Sequence, residues 1–259
     1  MLVTPIFNGQ GIGNQLACYI TARCLALDKG YGFGVVYPER WKAKFFKNIE
    51  LPEVKKIEFG VEGYPPIAMP KKFTYYREES SDYDPFIKEI PDNCIIHGNL
   101  QGEGYFEKYK DQIREWLAVE PLKMPYDTCV IAFRGGEYKW VKEFFLPQSY
   151  WDNAIANMKK INPYMKFEVH TDDVEEAQRF FPNFKCVHDP GTNWRSIRYA
   201  NYLILSNSSF GWFPAWLGEA KLIIAPLHWQ RYNMEYWHLE QNKTKCFTYQ
   251  DKWGNLNKL

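Results

Sequence analysis

Arg134-Gly-Gly-Glu-Tyr138, Thr171-Asp172-Asp173 and Asn207-Ser208-Ser209 each follow a short β-rich run. Together they hold the residue types that grip a nucleoside diphosphate. An arginine flanked by glycines can bring its planar guanidinium close to a phosphate and stabilise a departing diphosphate. Ser208 and Ser209 open a helix, which offers hydroxyls, backbone N–H groups and the positive end of the helix dipole to the same phosphates. The Asp172 carboxylate can accept paired hydrogen bonds from the N1–H and exocyclic amine of guanine, a pattern that adenine and uracil lack. Each motif alone has a plainer reading, as a helix cap or an exposed charge. Their shared place at strand ends singles them out, because open α/β sheets bind ligands beyond the carboxyl ends of their strands.

A second glycine-rich loop, Asn8-Gly-Gln-Gly-Ile-Gly-Asn-Gln15, has neither the GxGxxG pattern nor a Walker lysine, which argues against dinucleotide and ATP binding. It reads equally as a tight βα turn and as a segment that brings backbone and amides up to a ligand. Candidates for a general base are Glu137 and Glu143, just beyond the arginine loop. His97 and Glu103 are candidates for acceptor contacts, each with the alternative of a core-edge histidine or a solvated glutamate. Asp82-Tyr83-Asp84 spells a D-x-D triplet in a charged, weakly patterned stretch and is read as coincidence. Six cysteines, at 18, 24, 94, 129, 186 and 246, show no CxxC pair and no zinc spacing, so no metal and no cofactor is expected.

Apolar periodicity predicts the elements that must position these residues. In the first half it gives strands at 2–7, 33–37 and 94–97. Helices are expected from Leu16 through Leu27, over 40–47 and over 103–117, with an irregular stretch that includes short strands at 50–92. The Pro-punctuated segment Glu120-Pro-Leu-Lys-Met-Pro125 suits a domain junction, so lobes of 1–122 and 123–259 are expected, the last residues being free to pack back on the first lobe. The second half alternates strands (128–133, 166–170, 184–187, 202–206, 222–225) with helices (149–161, 174–181, 196–199, 210–219), the pattern of a parallel sheet covered by helices.

With 259 residues the chain can bury a large core. Its 32 Lys and Arg against 31 Asp and Glu leave a net charge of +1, so no global field recruits nucleic acid. An anion must be held locally. Aromatic residues make up 18% of the chain, in keeping with sugar-stacking surfaces and equally with an aromatic core. The first residues lack a basic segment ahead of an apolar run, and no eighteen apolar residues run together. The expectation is a soluble cytoplasmic protein without a transmembrane segment, in which the sequons at Asn207 and Asn242 carry no sugar.

These residues resemble the α-1,2-fucosyltransferase family, and more distantly the α-1,6- and protein O-fucosyltransferases. Gln10-Gly-Ile-Gly-Asn-Gln-Leu-Ala-Cys-Tyr19 is similar to the family's N-terminal G-G-L-G-N-Q signature. Gly102-Glu-Gly-Tyr-Phe-Glu-Lys-Tyr109 is similar to its G-Y-(F/W)-Q-S-x-K-Y-F segment. Ala132-Phe-Arg-Gly-Gly-Glu-Tyr138 aligns with H-x-R-R-G-D-Y and is followed by Leu146-Pro-Gln-Ser-Tyr150. Thr171-Asp-Asp173 stands at the S-D-D turn. Leu205-Ser-Asn-Ser-Ser-Phe-Gly-Trp-Phe-Pro-Ala-Trp216 and Ile224-Ala-Pro-Leu-His-Trp229 match the closing blocks.

The blocks keep family order from residue 10 to 229. The resemblance implies a GT-B fold of two Rossmann-like lobes with a cleft between them, and an inverting, metal-independent transfer of L-fucose from GDP-fucose to a glycan hydroxyl, α-1,2 to galactose by analogy. It implies Arg134 as the β-phosphate ligand, Asp172 on the guanine side, and Ser208 and Ser209 on the phosphates, with Gly11, Gly13, Asn14 and Gln15 lining the donor site from the first lobe. Ala132 stands where the family has His, and Gly135 where it has a second Arg; Glu137 replaces Asp. Those departures keep open a transferase of another nucleotide sugar, or a non-catalytic GDP- or glycan-binding homologue.

Overall fold

The computed structural model describes residues 1–78, 83–229 and 244–258. Asp82 and Asn242, named above, lie outside them. The described chain divides into two compact units, residues 1–118 and the residues from Val119 onward.

The first unit is built on a four-stranded parallel sheet of order β2-β1-β4-β3, from β1 (Leu2–Pro5), β2 (Phe33–Val36), β3 (Thr74–Arg77) and β4 (Cys94–His97). Helix α1 (Ile12–Lys29) follows β1 and buries Leu16, Ile20 and Cys24 as expected, whereas Leu27 is exposed. It ends at Gly30, whose left-handed φ of 64° lets its N–H reach the carbonyls of Ala26 and Leu27. The helix expected over 40–47 does not form. Tyr37 takes a left-handed φ of 61°, Pro38–Arg40 make a single 3-10 turn, and Trp41 is extended, so the chain leaves helical geometry before the apolar positions can be used. The helix expected over 103–117 starts late, as 3-10 turns at Glu103–Tyr105 and Glu107–Tyr109 followed by α2 (Lys110–Trp116). Glycines at 102 and 104 weaken its first turn.

The second unit carries a seven-stranded sheet of order β11-β10-β9-β8-β5-β6-β7. Its strands are β5 (Thr128–Phe133), β6 (Lys166–Thr171), β7 (Lys185–Val187), β8 (Tyr202–Leu205), β9 (Leu222–Pro226), β10 (Thr248–Gln250) and β11 (Leu256–Lys258). All neighbours run parallel except β10 and β11. Every residue of β5 is buried, as its unbroken apolar run demands of an interior parallel strand. The connecting helices are α3 (Gln148–Ile161), α4 (Val174–Phe180), α5 (Pro190–Tyr199) and α6 (Ser209–Leu217). Asp173 and Asp189 cap α4 and α5 by accepting the N–H groups of Glu176 and Thr192. Phe133, Trp151, Tyr150, Met158 and Phe181 form one core between α3, α4 and the sheet, each burial contributing about 2–3 kcal/mol. The closing residues, free by sequence to return to the first lobe, here extend the second sheet. Among the described residues no helix is long and apolar enough to cross a membrane.

Candidate functional site

In the second unit β8, β5 and β6 are direct neighbours. Their carboxyl ends therefore bring the Ser208, Arg134 and Asp172 loops side by side. Arg134 Nη1 lies 2.7 Å from Asp172 Oδ2, and its Nη2 donates to Glu137 Oε1 at 2.6 Å. The Gly135 N–H donates to the other Asp172 oxygen at 2.9 Å. Burial pulls the guanidinium pKa down, but the Asp172 and Glu137 carboxylates outweigh it and the net direction is up. Arg134 is a fixed cation.

Asp172, expected to face a guanine, has one oxygen on Arg134 and the other on the Gly135 backbone. The glycines explain why. A Cβ on Gly136 would stand 2.3 Å from Asp172 Oδ2, and one on Gly135 would stand 2.8 Å from the Asp173 Cβ and 3.1 Å from the Phe133 ring. A second arginine at 135 has no room in this arrangement.

Three residues to which no individual role was assigned from sequence complete the cluster. Lys139 Nζ pairs with Asp173 Oδ2 at 2.6 Å and, with the Glu176 N–H, holds that carboxyl below its usual range. The Tyr138 ring lies 5.5 Å from the Arg134 guanidinium, and its hydroxyl donates to the Asn207 carbonyl at 3.4 Å. The spacing of Tyr138 and Lys139 from Arg134 was visible; their partners across the sheet were not. Asn207 is buried and donates to the Phe144 carbonyl at 2.9 Å, so it is no surface sequon. Ser208 is the N-cap residue of α6, yet its hydroxyl makes no cap bond. Ser209 begins the helix. Glu137 is exposed against Arg134. Glu143 is exposed in the turn beyond and shares no hydrogen bond or ion pair with this cluster.

In the first unit the glycine-rich loop is tied down from several sides. The N–H groups of Asn8 and Gly9 each donate to one oxygen of Glu62, both at 2.8 Å. Lys42 Nζ donates to the carbonyls of Asn8 and Gln10. Gln15, expected to line a ligand, is wholly buried: its amide N–H groups reach the carbonyls of Phe7 and Arg40, and its oxygen accepts the Lys42 N–H at 2.9 Å. It staples the loop to the 40–42 segment. Gly13 is buried in α1, while Asn14 is exposed and accepts from Gln101 at 2.9 Å. Gly11 caps α1 with an ordinary φ of −70° and nothing within 4 Å of a built Cβ, so neither backbone nor packing demands a glycine there.

The ends of β3 and β4 meet a polar basin. His97 is 9% exposed and its Nδ1 has no hydrogen-bond partner. Burial, then the positive charge of Arg77, pushes its pKa down to about 4, so the imidazole is neutral at pH 7. Neighbouring Glu78 is buried, and its carboxylate accepts from the Leu100 N–H and the Tyr105 hydroxyl, both at 2.6 Å. A Cβ on Gly98 would stand 2.5 Å from the Glu78 Cβ, so the close approach of these strands needs glycine there. Glu103 is half-buried at the start of its 3-10 turn and does not line this basin. Arg77 and Glu78 left no sequence signal, because β3 is an edge strand without an apolar alternation.

Among the described residues no group of three or more His, Cys, Asp or Glu side chains is placed to hold a metal ion. No protein-family model matches the chain. It is similar to the O-antigen biosynthesis glycosyltransferase WbnK of Escherichia coli, with 28% identity over 121 residues. That alignment takes in 43% of this chain and 37% of WbnK, so the chain spans a little over a third of that relative's length. Among solved structures it resembles the NodZ α-1,6-fucosyltransferase soaked with GDP-fucose, with 12% identity, 87% of this chain and 94% of that one covered, and a TM-score of 0.43.

Proposed function

We propose that the protein is a glycosyltransferase that moves L-fucose from GDP-fucose to a glycan hydroxyl, α-1,2 to galactose, with inversion and without a metal. In this reading the two units are the lobes of a GT-B enzyme, the second holding the donor. The observation that carries it is the adjacency of β8, β5 and β6, which gathers Arg134, Asp172 and the Ser208–Ser209 helix start on one sheet edge. The partial likeness to a glycosyltransferase supports the same class.

The acceptor hydroxyl attacks the anomeric carbon from the face opposite GDP and gives up its proton to solvent as the new glycosidic bond forms. As the glycosidic bond breaks, negative charge collects on the leaving diphosphate, where Arg134 and the amino end of α6 stabilise it. Asp172, fastened to Arg134 and Gly135, positions the guanidinium rather than reading a base. Glu137 already neutralises Arg134 and is exposed, so an arriving phosphate displaces it at little cost. Gly11 remains a candidate donor contact on the first lobe.

GDP release from GDP-fucose in the presence of a galactoside panel, with and without EDTA, tests this. Turnover insensitive to EDTA and lowered on the order of 10²-fold by Arg134→Ala is expected. Equal, negligible release by wild type and variant, with GDP still bound, would leave only a binding protein.

A further inference from the structure

The basin of the first unit has a volume of about 430 Å³ and is lined by Gln10, Asn14, Arg77, Glu78, His97, Gly98 and Asn99. That size accommodates a small saccharide. Its walls are amides, an imidazole and two charges, and they expose more polar than apolar surface.

The two charges are unequal. Glu78 turns inward, with both oxygens engaged by the Leu100 N–H and the Tyr105 hydroxyl. Arg77 is exposed, and no ion pair or hydrogen bond engages its guanidinium among the described residues. The register pairs Arg77 with His97 across β3 and β4, so the two side chains leave the sheet on the same face. Nearby cations are already committed: Lys42 to the Asn8 and Gln10 carbonyls, Arg40 to Glu39 and Glu62. Arg77 therefore supplies the positive charge of the basin, beside a nine-tenths-buried imidazole that has a ring nitrogen without a partner.

We propose that this basin binds a sugar bearing an anionic substituent, the anion on the Arg77 guanidinium and the ring hydroxyls on His97, Asn14 and Asn99. Its role as the acceptor rests on the transferase reading above; the binding itself does not. A guanidinium takes a carboxylate or a phosphate in the same forked geometry. Neutral His97 can donate to or accept from a hydroxyl, which a charged imidazolium could not do as an acceptor.

Isothermal titration of the full chain at pH 7.5, without any donor, tests this with methyl β-glucuronide, galactose 6-phosphate and methyl β-galactoside. At least one charged probe is expected to bind about tenfold more tightly than the neutral galactoside, a difference of about 1.4 kcal/mol. The charged probe that wins identifies carboxylate or phosphate as the natural substituent. Arg77→Gln, at an exposed position that leaves the fold intact, is expected to bring all three probes within about twofold of one another. Imidazole NMR signals of His97 should move with the charged probe in wild type and stay still in the variant. Equal binding of neutral and charged probes, a preference that survives Arg77→Gln, or unmoved His97 signals would overturn the assignment. Anionic-sugar binding with no GDP release from any donor keeps this site and counts against the transferase. Transfer to sugars without any charge preference does the reverse.

Discussion

The Asp172 carboxylate bridges Arg134 and the backbone that follows it, with Oδ2 2.7 Å from Arg134 Nη1 and Oδ1 2.9 Å from the Gly135 nitrogen. One acidic side chain thus sets both the direction of the guanidinium and the path of its loop. Asp172→Asn keeps the shape and removes the charge. We expect the folded state to lose about 1–2 kcal/mol, between the values for exposed and buried pairs. Donor turnover should fall further than stability does. Arg134→Ala should lower turnover on the order of 10²-fold, the usual cost of one preorganised charge donor. Thermal melts and GDP-release rates measured on the same preparations separate the two effects, and an Asp172→Asn variant with wild-type turnover would remove Asp172 from the site.

Glu137 offers a test of opposite sign. As the exposed counter-charge of Arg134 it competes with an incoming phosphate, so Glu137→Gln should tighten GDP binding about two- to fivefold. A general base at this position would instead cost turnover with GDP affinity unchanged. Titration of GDP together with initial rates decides between them.

Gly135→Arg, which supplies the second arginine of the fucosyltransferase signature, should fail to improve the protein. Its Cβ meets Asp173 at 2.8 Å, and Asp173 is anchored by Lys139 and caps α4. Overpacking of this kind costs about 1–3 kcal/mol. A melting temperature at or above wild type would show that the loop relaxes more freely than its contacts indicate.

His97 gives a pH signature of defined direction. Its folded pKa is lowered to about 4, from about 6.5 in the unfolded chain, so between these values only the unfolded chain takes up the proton. The stability that His97 contributes is complete above pH 6.5 and is lost as pH falls toward 4, by about 3 kcal/mol in all. Glu78, whose burial raises its pKa, works in the opposite direction. The quantity to measure is therefore the difference between wild type and His97→Asn in urea unfolding at pH 7.5 and 4.5. A difference that does not shrink on acidification would refute the assignment.

Glu62→Ala removes the acceptor for the Asn8 and Gly9 N–H groups. Amide exchange at these two positions should accelerate at least tenfold while the body of α1 stays protected. Unchanged exchange would mean that the Gln15 and Lys42 ties hold the loop without it.

Interior strands were the most legible elements. Thr128–Phe133 has the predicted bounds because an unbroken apolar run fits only an interior strand, and Cys94–His97 likewise. Arg40–Lys47 misled because its apolar spacing was helical while Tyr37 and Pro38 had already fixed a turn. β10 and β11 are three residues each, too short for periodicity to show. In the site, Arg134 and Asp172 were identifiable by type and place, but not their bond to each other. Gln15 has the right type, and its amide is taken up by carbonyls that no local pattern announces. Arg77 is the converse, an ordinary edge residue until the register sets it opposite His97.

β5 is the first strand of its unit in the chain and lies between β6 and β8 in the sheet. Cys129 pairs with Phe167 on one side and with Tyr202 on the other, so the second partner is made about 70 residues after the first strand. At ribosomal speeds of roughly 5–20 residues per second, the Arg134 loop waits several seconds for that neighbour. Until then one long edge of β5 stands open. Nascent chains halted before residue 202 should therefore recruit chaperones through that edge of β5, and chains in which β8 has paired with it should no longer bind them there.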